Sequence, residues 1–413
     1  MSVIYNTSIA KSNYLGLMLD AGNQRSYSPN VFSKPLDIFG AIGSAGGNAC
    51  TLTRDTTTSL SPVGGTPMKM AISGNDPYTN SYNSSTWNVS TAAAGQTWTL
   101  SVWLKASIAT TAQLFIFGAD SGGGVFTYVD YGATTANITT EWTRISFSYT
   151  FSNSNVNYVQ FRLDGPDAGG SGNNIWWDGL QLERASGAST FNPNYNANGT
   201  SFKDMSSAKC HGTMYGAIPF TTDIVPCFDF ATVTGASSAA ASLGFTFATN
   251  PVTLTGGFTF SSWIKNPPSS SSQVGLFSNT GSATGFRYGI GLNGCYVLMA
   301  GADGSGYSEP TLAFSSSLSA SLWYNVVMVF DRSGANAAGT PQWQLYLNGV
   351  LQTTTNMATP QTVAMTTTAP GLVRSACCGL YTGKLAQFMV HNTPLSAYDV
   401  LQNYNAYRGR FGL

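Results

Sequence analysis

Any catalytic chemistry in this chain would have to come from few groups. The only glutamates are Glu141, Glu183 and Glu309, each isolated, and the aspartates are scattered about one per loop or turn. Retaining glycoside hydrolysis needs two carboxyls about 5 Å apart. On a strand that means acidic residues two or four positions apart, and no E-x-D-x-x-E pattern occurs. A nucleophile activated by imidazole would have to use His211 or His391, the only two histidines. His391 follows an apolar strand and reads as a structural hydrogen-bonding residue, and His211 sits in a KCHG turn. No G-x-S-x-G elbow, H-E-x-x-H pair or phosphate-binding loop is present, so the expectation is a protein that is not an enzyme.

Binding chemistry is better supplied. Sugars stack their C–H faces on aromatic rings, and their hydroxyls need fixed polar partners. Trp103, Tyr128, Tyr131, Trp176 and Trp177 are the candidate glycan-binding residues. Trp176 and Trp177 are adjacent in IWWDG, so on a strand they point to opposite faces. Trp103 is out of phase with Trp98 in TWTLSVWLK. Tyr128 and Tyr131 lie in GVFTYVDYG, a Gly-bounded loop or edge strand. The competing reading is that these rings pack the core or a subunit interface.

The elements that would position these rings are strands. A clear one runs through WYNVVMVFD, where Val326, Met328 and Phe330 alternate with Val327 and Val329. Apolar residues on both phases predict a strand buried on both faces. After a polar loop, PQWQLYLNGVL alternates and then carries Asn348-Gly349. That dipeptide is a strong hairpin signal, because a type I′ turn needs positive φ at both central positions. Upstream, TWTLSVWLK (97–105), residues 113–118, EWTRISFSYTF (141–151), YVQFRL (158–163) and IWWDGLQLE (175–183) read as strands separated by Gly/Ser/Asn clusters. The same order recurs downstream as FTFSSWIK, WYNVVMVFD, QWQLYLNG and GKLAQFMVHN, a weak internal duplication that implies two related sandwiches. One short helix is predicted near the C-terminus. Ser396 is its N-cap, Asp399 its N3 residue, Leu395 and Val400 its hydrophobic staple, and Gly409 its end.

Composition agrees with an all-β protein of two or three domains. The 413 residues include 45 glycines and 13% aromatics, and only 9% are charged, with net charge zero. A basic face for nucleic acid is therefore not expected. The low charge fits either a Ser/Thr/Asn-rich sandwich surface or a surface covered by neighbours in an assembly. Cys50, Cys210, Cys227, Cys295, Cys377 and Cys378 form no CxxC pair and read as reduced, small core residues; Cys210 and Cys227 could close a loop only in an oxidising compartment. No apolar run of about 18 residues exists, so neither a signal peptide nor a membrane span is expected, and the chain is expected to be made as a soluble cytoplasmic product.

FTFSSWIK, WYNVVMVFD, WQLYLNG, GKLAQFMVHNTPLS and VLQNYNAYRGRF resemble the concanavalin A-like (laminin G-like) domains of phage virion proteins. GLMLDAGNQRSYSP and SFKDMSSAKCHGTMYG resemble the start of that family, but here they stand far apart. The stretch between them, with TWTLSVWLKAS, EWTRISFSYTF and IWWDGLQLERASGASTFNP, resembles a carbohydrate-binding-module jelly roll. The resemblance implies an all-β chain of two antiparallel β-sandwiches, concanavalin A-like (1–30 plus 197–413) and jelly-roll (31–196, inserted), with one short C-terminal helix. It implies a non-enzymatic structural protein of the virion, a capsid decoration or a fibre or appendage subunit. The alternative is a tail-associated receptor-binding protein whose main role is glycan attachment. The partners implied are other capsid or tail proteins, further copies of this chain in a homo-oligomer such as a trimer, and host-surface glycan. Carbohydrate-binding jelly rolls also suggest a structural Ca²⁺ with Asp178 as a ligand. The competing reading of Asp178 is an ordinary strand-edge carboxylate.

Overall fold

In the computed structural model, the described residues are 10, 12–23, 27, 38, 48–56, 61–79, 90–120, 128–189, 191, 201–215, 218, 220–222, 224–230, 244–247, 257–269, 274–278, 285–300, 310–333, 339–356, 371–372 and 379–413. Glu309, Cys377 and Cys378 lie outside them. The contacts divide the chain into two compact units, Met1–Tyr27 with Ser201–Leu413, and Ser28–Thr200.

The larger unit begins with β1 (Leu15–Asp20). The smaller unit follows with β2 (Cys50–Arg54), β3 (Met68–Ile72), β4 (Ser90–Thr91), β5 (Thr97–Ala106), β6 (Thr110–Ala119), β7 (Tyr128–Ile138), β8 (Thr143–Thr150), β9 (Tyr158–Asp164) and β10 (Asn174–Glu183). These form two antiparallel sheets, ordered β2-β3-β10-β5-β8 and β4-β9-β6-β7. Alternation decides what goes between them. Leu100, Val102, Leu104, Ile175 and Trp177 of the first sheet and Leu114, Ile116, Val159, Phe161 and Leu163 of the second share one buried core. Each such side chain contributes about 1.5–3 kcal/mol of burial.

In the larger unit β1 joins β11 (Phe220–Thr222), β12 (Pro226–Asp229), β13 (Phe258–Lys265), β14 (Trp323–Asp331), β15 (Gln342–Leu347), β16 (Val350–Asn356) and β17 (Lys384–His391). The sheet order is β11-β12-β17-β13-β14-β15-β16, and β1 pairs with β17. A second sheet, which includes Gly244–Phe247, Gly285–Gly291 and Gly294–Ala300, packs against it through Phe245, Phe247, Tyr288 and Ile290. The prediction for β14 holds residue by residue. Val326, Met328 and Phe330 face the intersheet core, while Val327 and Val329 pack on the opposite face with Tyr346, Leu395 and Val400. What covers that opposite face is helix α1 (Ala397–Tyr407), started by the expected capping box: the Ser396 side chain accepts from the Asp399 backbone N–H, and Asp399 accepts from the Ser396 backbone N–H. Its end differs from expectation. The chain runs on past Gly409 as a 3₁₀ turn to Phe411, and Gly412 takes the left-handed conformation at φ 74°. The Phe411 ring lies parallel to Trp263 at 3.9 Å, so a 3₁₀ continuation buries an aromatic that a stop at Gly409 would leave outside.

Asn348 and Gly349 both have positive φ, 49° and 80°. A Cβ on Gly349 would also meet Leu401 Cδ1 at 3.0 Å and Tyr404 Cδ1 at 3.1 Å. Gly349→Ala is therefore expected to destabilise the larger unit by about 1–3 kcal/mol, read as a lower urea midpoint.

Candidate functional site

The four-stranded sheet of the smaller unit has a second face, built from the residues that alternate with its core. Across β9, β6 and β7 the register places Gln160 beside Phe117 beside Tyr131. The next row is Arg162, Phe115 and Ala133, and the one after it Asp164, Gln113 and Thr135. The side chains at these positions share one face because strand alternation has a period of two. The result is a grid of rings edged by hydrogen-bonding groups.

The rings are in contact. Phe115 and Phe117 are parallel within 2° at 5.6 Å. Phe117 stacks on Tyr128 at 4.2 Å and tilts against Tyr131 at 5.7 Å. The Arg162 guanidinium lies 4.5 Å from the Tyr78 ring and 4.6 Å from the Phe115 ring. Cation–ring contacts at these distances fix a planar guanidinium in place. Arg162 is also ion-paired with Asp164. Gln113 Nε2 donates to Asp167 Oδ1 at 2.8 Å. Depth is graded: Phe117 is 6% exposed and Tyr131 59%. Tyr131 is held in place by its neighbour Asp130, which points the other way and accepts from Tyr149 Oη at 2.6 Å and the Ser152 N–H at 2.6 Å.

Asp164 is 2% exposed. Burial pushes its carboxyl up to about 7, Arg162 opposes the rise, and Asp76 and Asp167 add to it. Burial likewise pushes the half-buried Cys50 thiol up to about 11, with Asp164 adding to the rise. Cys210, Cys227 and Cys295 are buried, as expected, whereas Cys50 is only partly buried.

The candidate residues read from sequence separate into three places. Tyr128 and Tyr131 stand on the ring face, on edge strand β7. Trp103 and Trp176 belong to the other sheet. Trp176 donates its indole N–H to Asp55 Oδ2 at 2.6 Å, and the ammonium groups of Lys105 and Lys69 sit 5.2 Å and 5.8 Å from its ring. Its aromatic surface thus already has partners. Trp103 is half-buried, beside Gly179. Trp177 requires a correction: it is fully buried in the intersheet core, so it has no free ring face to offer a sugar. Asp178 is also fully buried, and burial raises its carboxyl. Its Oδ1 accepts from the Gly179 N–H at 2.8 Å, and its Oδ2 accepts from the Ser61 hydroxyl. Ca²⁺ takes about six to eight oxygen ligands. Both oxygens of Asp178 hold donors, and among the described residues no group of three His, Cys, Asp or Glu converges.

Phe115, Phe117, Tyr78, Gln113, Gln160, Arg162 and Asp164 were not singled out from sequence. The signal was present. In QLFIF and YVQFRLD the residues out of phase with the core are three rings, two amides, an arginine and an aspartate.

Glu141 is exposed, and Glu183 is buried with Oε1 accepting from Gln181 Nε2 at 2.9 Å and the Ser189 N–H at 2.8 Å. His211 Nδ1 accepts from the Asp204 N–H at 3.2 Å, and His391 is fully buried at the end of β17.

With this geometry in place, comparison with known proteins shows what part of the larger unit is similar to. Residues 240–401 match the concanavalin A-like lectin/glucanases superfamily. The fold is concanavalin A-like, antiparallel and mostly β. No curated protein matches the chain. Among solved structures, the botulinum neurotoxin type G receptor binding domain is 12% identical with a TM-score of 0.37, covering 49% of this chain and 48% of that one. The binding domain of Paraclostridial Mosquitocidal Protein 1 is 14% identical with a TM-score of 0.39, covering 50% and 52%. The receptor binding domain of botulinum neurotoxin C/D mosaic serotype is 16% identical with a TM-score of 0.38, covering 51% and 49%. The chain thus spans about half the length of the solved structures it matches. No helix among the described residues is long and apolar enough to cross a membrane.

Proposed function

We propose that this chain is a non-enzymatic virion protein that attaches to host-surface glycan. In this reading the concanavalin A-like unit docks on a phage particle, as a capsid decoration or a fibre or appendage subunit. The jelly-roll-like unit, inserted in sequence between β1 and the rest of the larger unit, binds the glycan at the ring face of β9-β6-β7. The protein is made in the host cytoplasm, works on the virion, and assembles with other virion proteins and with further copies of itself, trimers included. The resemblance to phage domains supports the virion location, and the absence of a paired carboxyl motif in the sequence supports a binding role.

The observation that carries the binding reading is the accessible part of the cross-strand grid: the exposed Tyr131 ring and the half-buried Phe115 and Tyr128 as stacking surface, with the half-buried Gln113 and Arg162 beside them, while Phe117, Gln160 and Asp164 are themselves buried. Flat sugar faces need the first set, and ring hydroxyls need the second. The same grid favours the second reading, a tail-associated receptor-binding protein whose main role is attachment.

Two measurements test this. Host-glycan retention by the purified chain is expected to fall at least tenfold in Tyr131→Ala, which removes an exposed ring from the face without opening the core. Unchanged retention would remove the face from the binding role. Copy number in purified particles, by quantitative mass spectrometry, separates the virion readings. A ratio to the major capsid protein near one or a simple fraction means decoration, and a few to a few dozen copies mean tail or vertex. Absence from particles overturns the virion location.

A further inference from the structure

The charge around the ring face is lopsided. The strands β9, β6 and β7 contain no lysine, and their only cation is Arg162. Its charge is already engaged within the protein: the guanidinium is ion-paired with Asp164 and sandwiched between the rings of Tyr78 and Phe115. Against this single paired cation stand three carboxyls. Asp164 is on the face itself. Asp167 follows it in the next turn, exposed, with one oxygen held by Gln113. Asp76 precedes Tyr78, and its backbone N–H donates to the Asp167 carbonyl at 3.2 Å, which draws the two turns together at the end of the sheet. The face is therefore flanked by excess negative charge, with no free cation among the described residues of its three strands.

A ligand carboxylate or sulfate laid across these rings would meet like charge, and the described residues of the three strands offer it no guanidinium or ammonium besides the engaged Arg162. Like charges brought together in a partly desolvated site disfavour binding and set specificity. A hydroxyl faces no such penalty, because the amides and carboxylates here can accept or donate to it. Resting on the glycan reading above, we propose that the β9-β6-β7 face selects uncharged glycans and rejects chains that carry carboxylate or sulfate.

The test is a printed glycan array holding neutral oligosaccharides beside their uronate, sialylated and sulfated counterparts, probed with the full chain at about 0.05 M and 0.5 M salt. The expected result is retention on neutral spots, at least tenfold weaker retention on the matched acidic spots, and a smaller gap at high salt as charges are screened. Asp167→Asn, whose exposed side chain makes a folding failure improbable, is expected to narrow the ratio at low salt. Equal or stronger binding to the acidic partner, lost on Tyr131→Ala, would overturn the selectivity and leave the glycan face standing. Retention on no spot at all would overturn both.

Discussion

Arg162→Ala is expected to destabilise the smaller unit by about 3–5 kcal/mol at pH 8, but by only about 1–2 kcal/mol at pH 5. Two losses are combined in that substitution. One is packing: the guanidinium leaves the gap between Tyr78 and Phe115, at any pH. The other is electrostatic and exists only while Asp164 is ionised. Its carboxyl is pushed up to about 7 by burial, even with Arg162 beside it. In the unfolded chain an aspartate titrates near about 3.9. Between these values the folded protein holds a proton that the unfolded chain releases. For the wild type, stability from this group is thus greatest at low pH and declines as pH rises towards about 7. Without Arg162 the carboxyl rises further, because the remaining charged neighbour effects, from Asp76 and Asp167, push it the same way, and the nearby Cys50 is a neutral thiol at these pH values. At pH 5 Asp164 is protonated in both proteins, so the lost ion pair has little effect. At pH 8 the variant must either keep a buried anion or hold a proton against the pH. Urea unfolding at the two pH values reads the difference. An equal loss at both would mean that Asp164 does not titrate in this window, and the account of the face's electrostatics would fail.

How much of this was legible beforehand depended on whether a feature was local. The capping box at Ser396 and Asp399, the Asn348-Gly349 turn and the two-sided burial of Val326–Phe330 were readable because each is set by a few consecutive residues. The internal duplication was readable in part. TWTLSVWLK lies between two later strands as FTFSSWIK does, giving β10-β5-β8 in one unit and β17-β13-β14 in the other. The third correspondence breaks down. QWQLYL stays beside WYNVVMVFD in the same sheet, whereas YVQFRL crosses to the opposite sheet and pairs with β6 and β4. Nothing in the alternation of a strand says which sheet it joins. The ring face was missed for the same reason. Phe115 and Arg162 lie far apart in sequence and become neighbours only through the β6-β9 register. Strand phase marks tryptophans that can leave the core but not which of an adjacent pair does: Trp177 serves the core and Trp176 is engaged by Lys69, Lys105 and Asp55. The rings of the candidate face are phenylalanines and tyrosines, and Phe115 and Phe117 are out of phase with Leu114 and Ile116.

Asp20→Ala is expected to cost the larger unit about 3–5 kcal/mol, the range for removing one partner of a buried ion pair. Asp20 ends β1 and is fully buried. Its Oδ2 accepts from Arg410 Nη1 at 2.7 Å and from Gln387 Nε2 at 3.1 Å, and its Oδ1 accepts from the Gly22 N–H at 2.9 Å. The carboxylate therefore ties together a strand from the start of the chain, a central strand and the C-terminal turn. Gly22 is part of the arrangement, since a Cβ there would sit 2.1 Å from Arg410 Nη2. Removing the carboxylate leaves the guanidinium, at 12% exposed, without its charge partner and Gln387 without an acceptor. Next to Arg410, Phe411 is the residue that closes over Trp263. The loss should therefore appear first as faster hydrogen exchange in residues 408–413, and then as a lower urea midpoint for this unit. Arg410→Ala should cost a similar amount, because it strands the buried anion instead. The double variant should cost clearly less than the two single losses added together, since neither charge is then left alone. Strict additivity would mean that the two groups do not act as a pair, and the C-terminal turn would have to be held by the Phe411–Trp263 stack alone.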